Sequence, residues 1–152
     1  MSETVEGVLK SLVELEDQYP ADDYLFDKLT NIRNLIRGEL PPGTEIEFYK
    51  HRSGNPIKPL SIDTKDVLFE TLQPAPFATR IKPEKFLGSS GLGTRTTTIY
   101  KTTAPDILII KTEVYHPKFD ETLEQYAIYY DQPGSNSILN RRNLSLGGYE
   151  LI

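Results

Sequence analysis

His51 and His116 are the only imidazoles in the chain, so acid–base chemistry that relies on histidine near neutral pH must use one of them. His51 lies in YKHRSG between Lys50 and Arg52, with Lys58 a few residues further on. Such a cluster supplies donors and positive charge suited to a phosphate or a carboxylate; the plainer reading is a solvated strand end. His116 follows Glu113 by three residues. A carboxylate and an imidazole on one sheet are how metal-free ribonucleases arrange a general base and a general acid. On a regular strand, however, residues three apart point to opposite faces, and only a bulge would bring these two together.

The stretch KFLGSSGLGTRTTTIYK, residues 85–101, spaces Gly88 and Gly93 as in a phosphate-binding loop. Thr94 and Arg95 stand where that loop carries its lysine and its magnesium-binding hydroxyl. The loop should also lead into a helix whose N-terminal amides face the phosphate, and here it enters TRTTTIY, a strand-like run. What remains is a Gly- and Ser-rich connection, either a mobile flap over a site or a plain turn, with Arg95 as its one nearby source of charge.

Other chemistry is excluded by residue type. Without cysteine there is no thiolate nucleophile, disulfide or Cys-based metal site. No histidine spacing fits zinc, no loop fits calcium, and no G-x-S-x-G elbow occurs. Neither a metal nor a cofactor is expected. Tyrosine is abundant at nine residues, with Tyr115, Tyr126, Tyr129 and Tyr130 in two neighbouring strand-like runs and Tyr149 near the end. An amphipathic ring suits a protein contact or a ligand groove, and it also suits the half-buried side of any sheet.

The elements that must position these residues follow from periodicity. Residues 3–19 place Val5, Val8, Leu9, Leu12, Val13 and Tyr19 on one helical face, ended by Pro20. From Asp22 a second helix carries Leu25, Leu29, Ile32 and Ile36, with acids in its first turn, arginines near its end, and Gly38 and Pro41–Pro42 as the stop. EIEFYKH then alternates as a strand, with Ile46 and Phe48 on one side and Glu45, Glu47 and Tyr49 on the other. Residues 52–62 read as a loop and 63–72 as a short helix. The proline-rich segment QPAPFATRIKPEKF is extended, either over the surface or along a sheet edge. Strands over 95–101, 106–116 and 123–131, separated by short polar turns, form an antiparallel meander. Residues 132–152 are a final edge strand or an arm.

The fold expected is α+β, an N-terminal helical hairpin packed on a mainly antiparallel sheet formed by the C-terminal half. The 152 residues fit a single domain, divided into a hairpin (1–40), a sheet region (41–131) and the terminal segment (132–152). A net charge of −5 argues against nucleic acid held by general electrostatics. The excess lies wholly in residues 1–40, with nine acids against four bases, as on a solvated helical face or a surface for a basic partner. The N-terminus has neither a basic signal region nor an apolar run, so a cytoplasmic location and no membrane contact are expected. Two functions stay open. One is a non-catalytic interaction, assembly or accessory module that contacts a protein partner or a second copy through its Tyr-rich sheet face and C-terminal segment. The other is a small enzyme or binder acting on a phosphate-bearing ligand through Lys50, His51, Arg52, Arg95 and Glu113.

Overall fold

The computed structural model describes residues 3–18, 23–52, 62–85, 92–117 and 120–152. Three helices precede or interrupt the strands: α1 (Glu3–Gln18), α2 (Asp23–Ile36) and α3 (Ile62–Leu72). The strands are β1 (Glu45–Arg52), β2 (Ala75–Lys85), β3 (Leu92–Lys101), β4 (Ile107–His116), β5 (Glu121–Tyr130) and the two-residue β6 (Glu150–Leu151). They form one antiparallel sheet in the order β1-β5-β4-β3-β2-β6, which makes the protein α+β. The Gly88–Gly91 part of the glycine loop lies outside the described residues; Gly93 is already in β3.

The helices bury the stripes that the spacing predicts, Val8, Leu9 and Leu12 from α1 and Leu29, Ile32, Leu35 and Ile36 from α2. Val13 is the exception among the described side chains, which do not include Val5, Tyr19 or Leu25. It sits at the margin of its stripe and is 38% exposed. Gly38 ends α2 because the chain there needs φ +76°, which allows the Gly38 and Glu39 amides to donate back to the Leu35 and Asn34 carbonyls. α2 and α3 pack on β1 and β5, and α1 packs against both of those helices. With Phe48, Ile107, Ile109, Tyr126 and Ile128 from the sheet they close the larger hydrophobic cluster.

One register shift corrects the expected faces of β1. Between Glu47 and Tyr49 the pairing with β5 slips by a residue. The bulge carries Tyr49 to the same face as Phe48, where both are buried among helix residues, instead of onto the face of Glu45 and Glu47. Lys28 of α2 donates from Nζ to the Glu47 carbonyl at 2.6 Å, giving a partner to a backbone group beside the irregularity.

The proline-rich segment forms β2, paired with β3 along its length and with β6 only at Ala78 and Thr79. The terminal segment folds back across the sheet face remote from the helices. After a 3-10 turn (Gly134–Asn136), α4 (Arg141–Leu146) brings Leu144 onto Ala78, Ile99 and Leu108, with Ile138, Leu139 and Tyr149 around them. Asp131 anchors this cap: it is buried and accepts from Ser137 Oγ at 2.5 Å and from the Ile138 amide at 2.9 Å. Asn140 caps α4 by accepting from the Arg142 amide.

Candidate functional site

Residues directly opposite one another in an antiparallel pair share a face, about 5 Å apart. The registers of β1, β5, β4 and β3 therefore set two polar rows on the helix side of the sheet. One row runs Tyr49, Tyr126, Lys111, Thr98; the next runs His51, Glu124, Glu113, Thr96. Sequence reading picks out His51, Glu113 and Tyr126 but misses Lys111, Glu124 and Tyr49. Their common face depends on the bulge in β1 and on pairings between segments some 75 residues apart in the chain.

Lys111 Nζ lies 2.5 Å from Glu113 and 3.8 Å from Glu124. Burial opposes its charge most strongly, but the hydrogen bond to Glu113 and the neighbouring negative charge outweigh it and leave the ammonium pKa raised. Tyr126 is pushed up as well, first by burial and then by its hydrogen bond to Glu124, against the opposing pull of Lys111. The phenol is thus held neutral and the lysine charged, a fixed dipole and charge pair at the margin of the core.

Beside this cluster stands an aromatic box. Tyr126 meets Tyr49 at a centroid distance of 5.6 Å and Phe69 at 5.1 Å, both edge-on. Into it reaches Lys65 from α3, its Nζ 4.3 Å from the Tyr49 centroid, 5.1 Å from Tyr126 and 5.7 Å from Phe69. Lys65 and Phe69 are one helical turn apart, so α3 presents both to the same place. An ammonium held over rings in this way contributes about 0.5–1 kcal/mol at an exposed position and more when desolvated. Burial also raises the Tyr49 pKa, followed by the charges of Glu124 and Asp66.

The structure divides the candidate site residues between the two faces. His51 is on the helix side opposite Glu124, while Lys50 and Arg52 face the other side. β4 is regular throughout, so Glu113 lies on the helix side and His116 on the other, opposite Glu121. Arg95 shares the face of His116 and is engaged by Glu84 through two hydrogen bonds of 3.0 and 3.1 Å. His51 and Glu113 remain on one face, two strands apart, with Glu124 between them.

The tyrosines divide too. Tyr126 belongs to the helix-side cluster with Tyr130 against it, and Tyr129 and Tyr149 pack under the C-terminal cap. The Tyr149 ring lies 4.5 Å below the Arg80 guanidinium, whose Nη1 donates to the Gly147 carbonyl. Tyr115 is the one that faces solvent, its hydroxyl bonded to Asp120 at 3.0 Å. A cavity of about 170 Å³ at the β3–β4 turn is lined by Lys101, Thr102, Ala104, Pro105, Asp106, Ile107, Leu108 and Leu139. It is smaller than the usual small-molecule pocket.

Among the described residues no three His, Cys, Asp or Glu side chains group to hold a metal, and no helix is long and apolar enough to cross a membrane. No family model, curated protein or solved structure matches this α+β chain.

Proposed function

We propose that the protein is a non-catalytic interaction module that docks an extended, acidic segment of a partner protein along the outer edge of β2. The observation that carries this reading is an incomplete edge. β6 covers Ala78 and Thr79, and among the described residues no strand pairs with Arg80–Lys85 on that side. The Ile152 amide bonds to the Phe77 carbonyl, so this part of the backbone points outward. Period two then turns the backbone groups of Thr79, Ile81, Pro83 and Lys85 outward as well. Pro83, lacking an N–H, sits where the β3 ladder loses no bond.

Side chains supply the selectivity. Ile81 is 68% exposed and Leu92 58%, and Tyr115, 39% exposed, lies across Thr94 from Pro83 on the same helix-side face. Arg80, Lys82 and Lys85 make the edge basic. A strand added there gains backbone hydrogen bonds, an apolar contact at Ile81 and charge complementarity at the lysines. Pro83 and the lysines also discourage indiscriminate pairing of the bare edge.

The test is a display library of extended heptapeptides selected on the whole chain. Selected sequences should be acidic and β-branched. They should protect the Ile81 and Lys85 amides from hydrogen exchange and lose binding to Ile81→Asp. Binders indifferent to Ile81→Asp that protect other amides would refute the reading.

A further inference from the structure

The box of Tyr49, Phe69 and Tyr126 does more than fill the core margin. We infer that it is a receptor for an external quaternary ammonium group, occupied in the free protein by the displaceable side chain of Lys65. The inference stands apart from docking at β2, since it uses another part of the sheet and a different chemistry.

Three features support it. The Lys65 ammonium touches three rings from different elements: Tyr49 on β1, Tyr126 on β5 and Phe69 on α3. Tyr126 meets the other two rings edge-on, so three rings from separate segments surround one ammonium position. Tyr49 and Tyr126 are only 8% and 6% exposed, while Lys65 and Phe69 are half-buried and form the outward part of the site. Displacing Lys65 therefore uncovers the box without disturbing the sheet.

The occupant is a poor match for its site. A primary ammonium is compact and strongly hydrated, and lying over rings costs it part of that hydration. A quaternary ammonium is weakly hydrated, carries the same charge and fills more of the box, which is why aromatic cages select it. The surroundings favour a cation. Glu124 and Asp66 place negative charge beside Tyr49, and Glu113 with Glu124 offsets the positive charge of Lys111. Lys65 then acts as a tethered competitor. An external ligand must displace it, and removing it should tighten binding by about two- to fivefold, the fold-change matching one exposed ammonium–ring contact.

The ligand chemistry has two sources, a free small molecule or a trimethylated lysine side chain, and the experiment separates them. Aromatic resonances of the protein are followed by NMR during titration with choline, with its neutral carbon analogue 3,3-dimethylbutanol, and with a trimethyllysine peptide. Shifts should appear at Tyr49, Phe69 and Tyr126 with choline, or with the peptide alone if neighbouring peptide contacts are needed. They should saturate at about two- to fivefold lower concentration in Lys65→Ala and weaken in Phe69→Leu. Circular dichroism confirms that each variant is folded. Equal shifts with the neutral analogue would overturn the inference. So would unchanged binding in Phe69→Leu, or no saturable shift with either cation in folded Lys65→Ala.

Discussion

Along β1, β5 and the first half of β4 the helix-side surface is closed by α2 and α3, whereas the same surface of β2 and β3 leaves Ile81 and Leu92 more than half exposed. Both regions belong to one continuous sheet and both carry apolar and aromatic side chains, so strand composition does not separate them. Coverage does. In the closed region a bulge turns Phe48 and Tyr49 inward together and the polar rows meet at the boundary of the core. In the open region the β2–β3 ladder, which shifts register between Pro76 and Ala78 and is regular beyond, sends Ile81 into water, and β6 ends after two residues. The helix-covered core thus belongs to the closed region, and the exposed apolar side chains of Ile81 and Leu92 belong to the open one.

The largest expected contrast is in stability. Phe48→Ala empties a fully buried ring site and should cost about 3–5 kcal/mol. Ile81→Thr, which keeps a β-branched side chain on the exposed strand, should change stability by about 0.5 kcal/mol or less. Urea unfolding of the two variants measures both values, and equal losses would erase the distinction between the regions.

Next in size is the cap on the second face. Removing the Asp131 carboxylate leaves the Ser137 hydroxyl and the Ile138 amide without their acceptor, so Asp131→Ala should cost about 1–3 kcal/mol. Amide exchange should rise first across residues 134–146. Slow exchange there in the variant would show that the cap is held by Leu144 and its apolar neighbours alone.

Tyr126 sharpens the comparison through pH. Its folded pKa is raised by burial and by Glu124, so folding favours the neutral phenol. That contribution is fully present below the ordinary tyrosine pKa of about 10 and is lost as pH climbs above it. The urea midpoint should fall on raising pH beyond that value, and less steeply in Tyr126→Phe. Tyr49 and Tyr129, also raised by burial first, should preserve part of the slope. Identical slopes in the two proteins would remove Tyr126 from the account.

The smallest effect is at the open edge. Arg95 and Glu84 bond through two donors but retain 40% and 28% side-chain exposure, so solvent screening limits the pair. Glu84→Gln should cost less than about 1 kcal/mol, and the cost should shrink with added salt. A larger, salt-independent loss would mean that this edge is as tightly built as the helix-covered region.

Much of the architecture was legible because it rests on local physics. The 3.6-residue spacing of Val8 and Leu12 and of Leu29, Ile32 and Ile36, the glycine and prolines after α2, and the Thr-, Ile- and Tyr-rich runs of the meander all act within a few residues. α4 was not legible: six residues carry too little periodicity, and its support comes from Asn140, Asp131 and a sheet surface distant in sequence. Nor was the inward turn of Tyr49, because alternation says nothing about where a strand will bulge. His51, Glu113 and His116 show the same division. Their residue types were evident at once and parity correctly separated the last two, but the arrangement of His51, Glu124 and Glu113 on one face needed the β1–β5–β4 register.

What the sequence by itself determined was the order and type of the elements through β5, the extended conformation of the proline-bearing segment, and the residues able to carry charge. Each is set by backbone sterics and by side-chain spacing over short range. Tertiary structure decided which face each side chain occupies, that Lys65 fills a box of three rings, and that the C-terminal segment covers the second face of the sheet. Those outcomes depend on register and on burial between segments far apart in the chain, where a single-residue slip exchanges inside for outside.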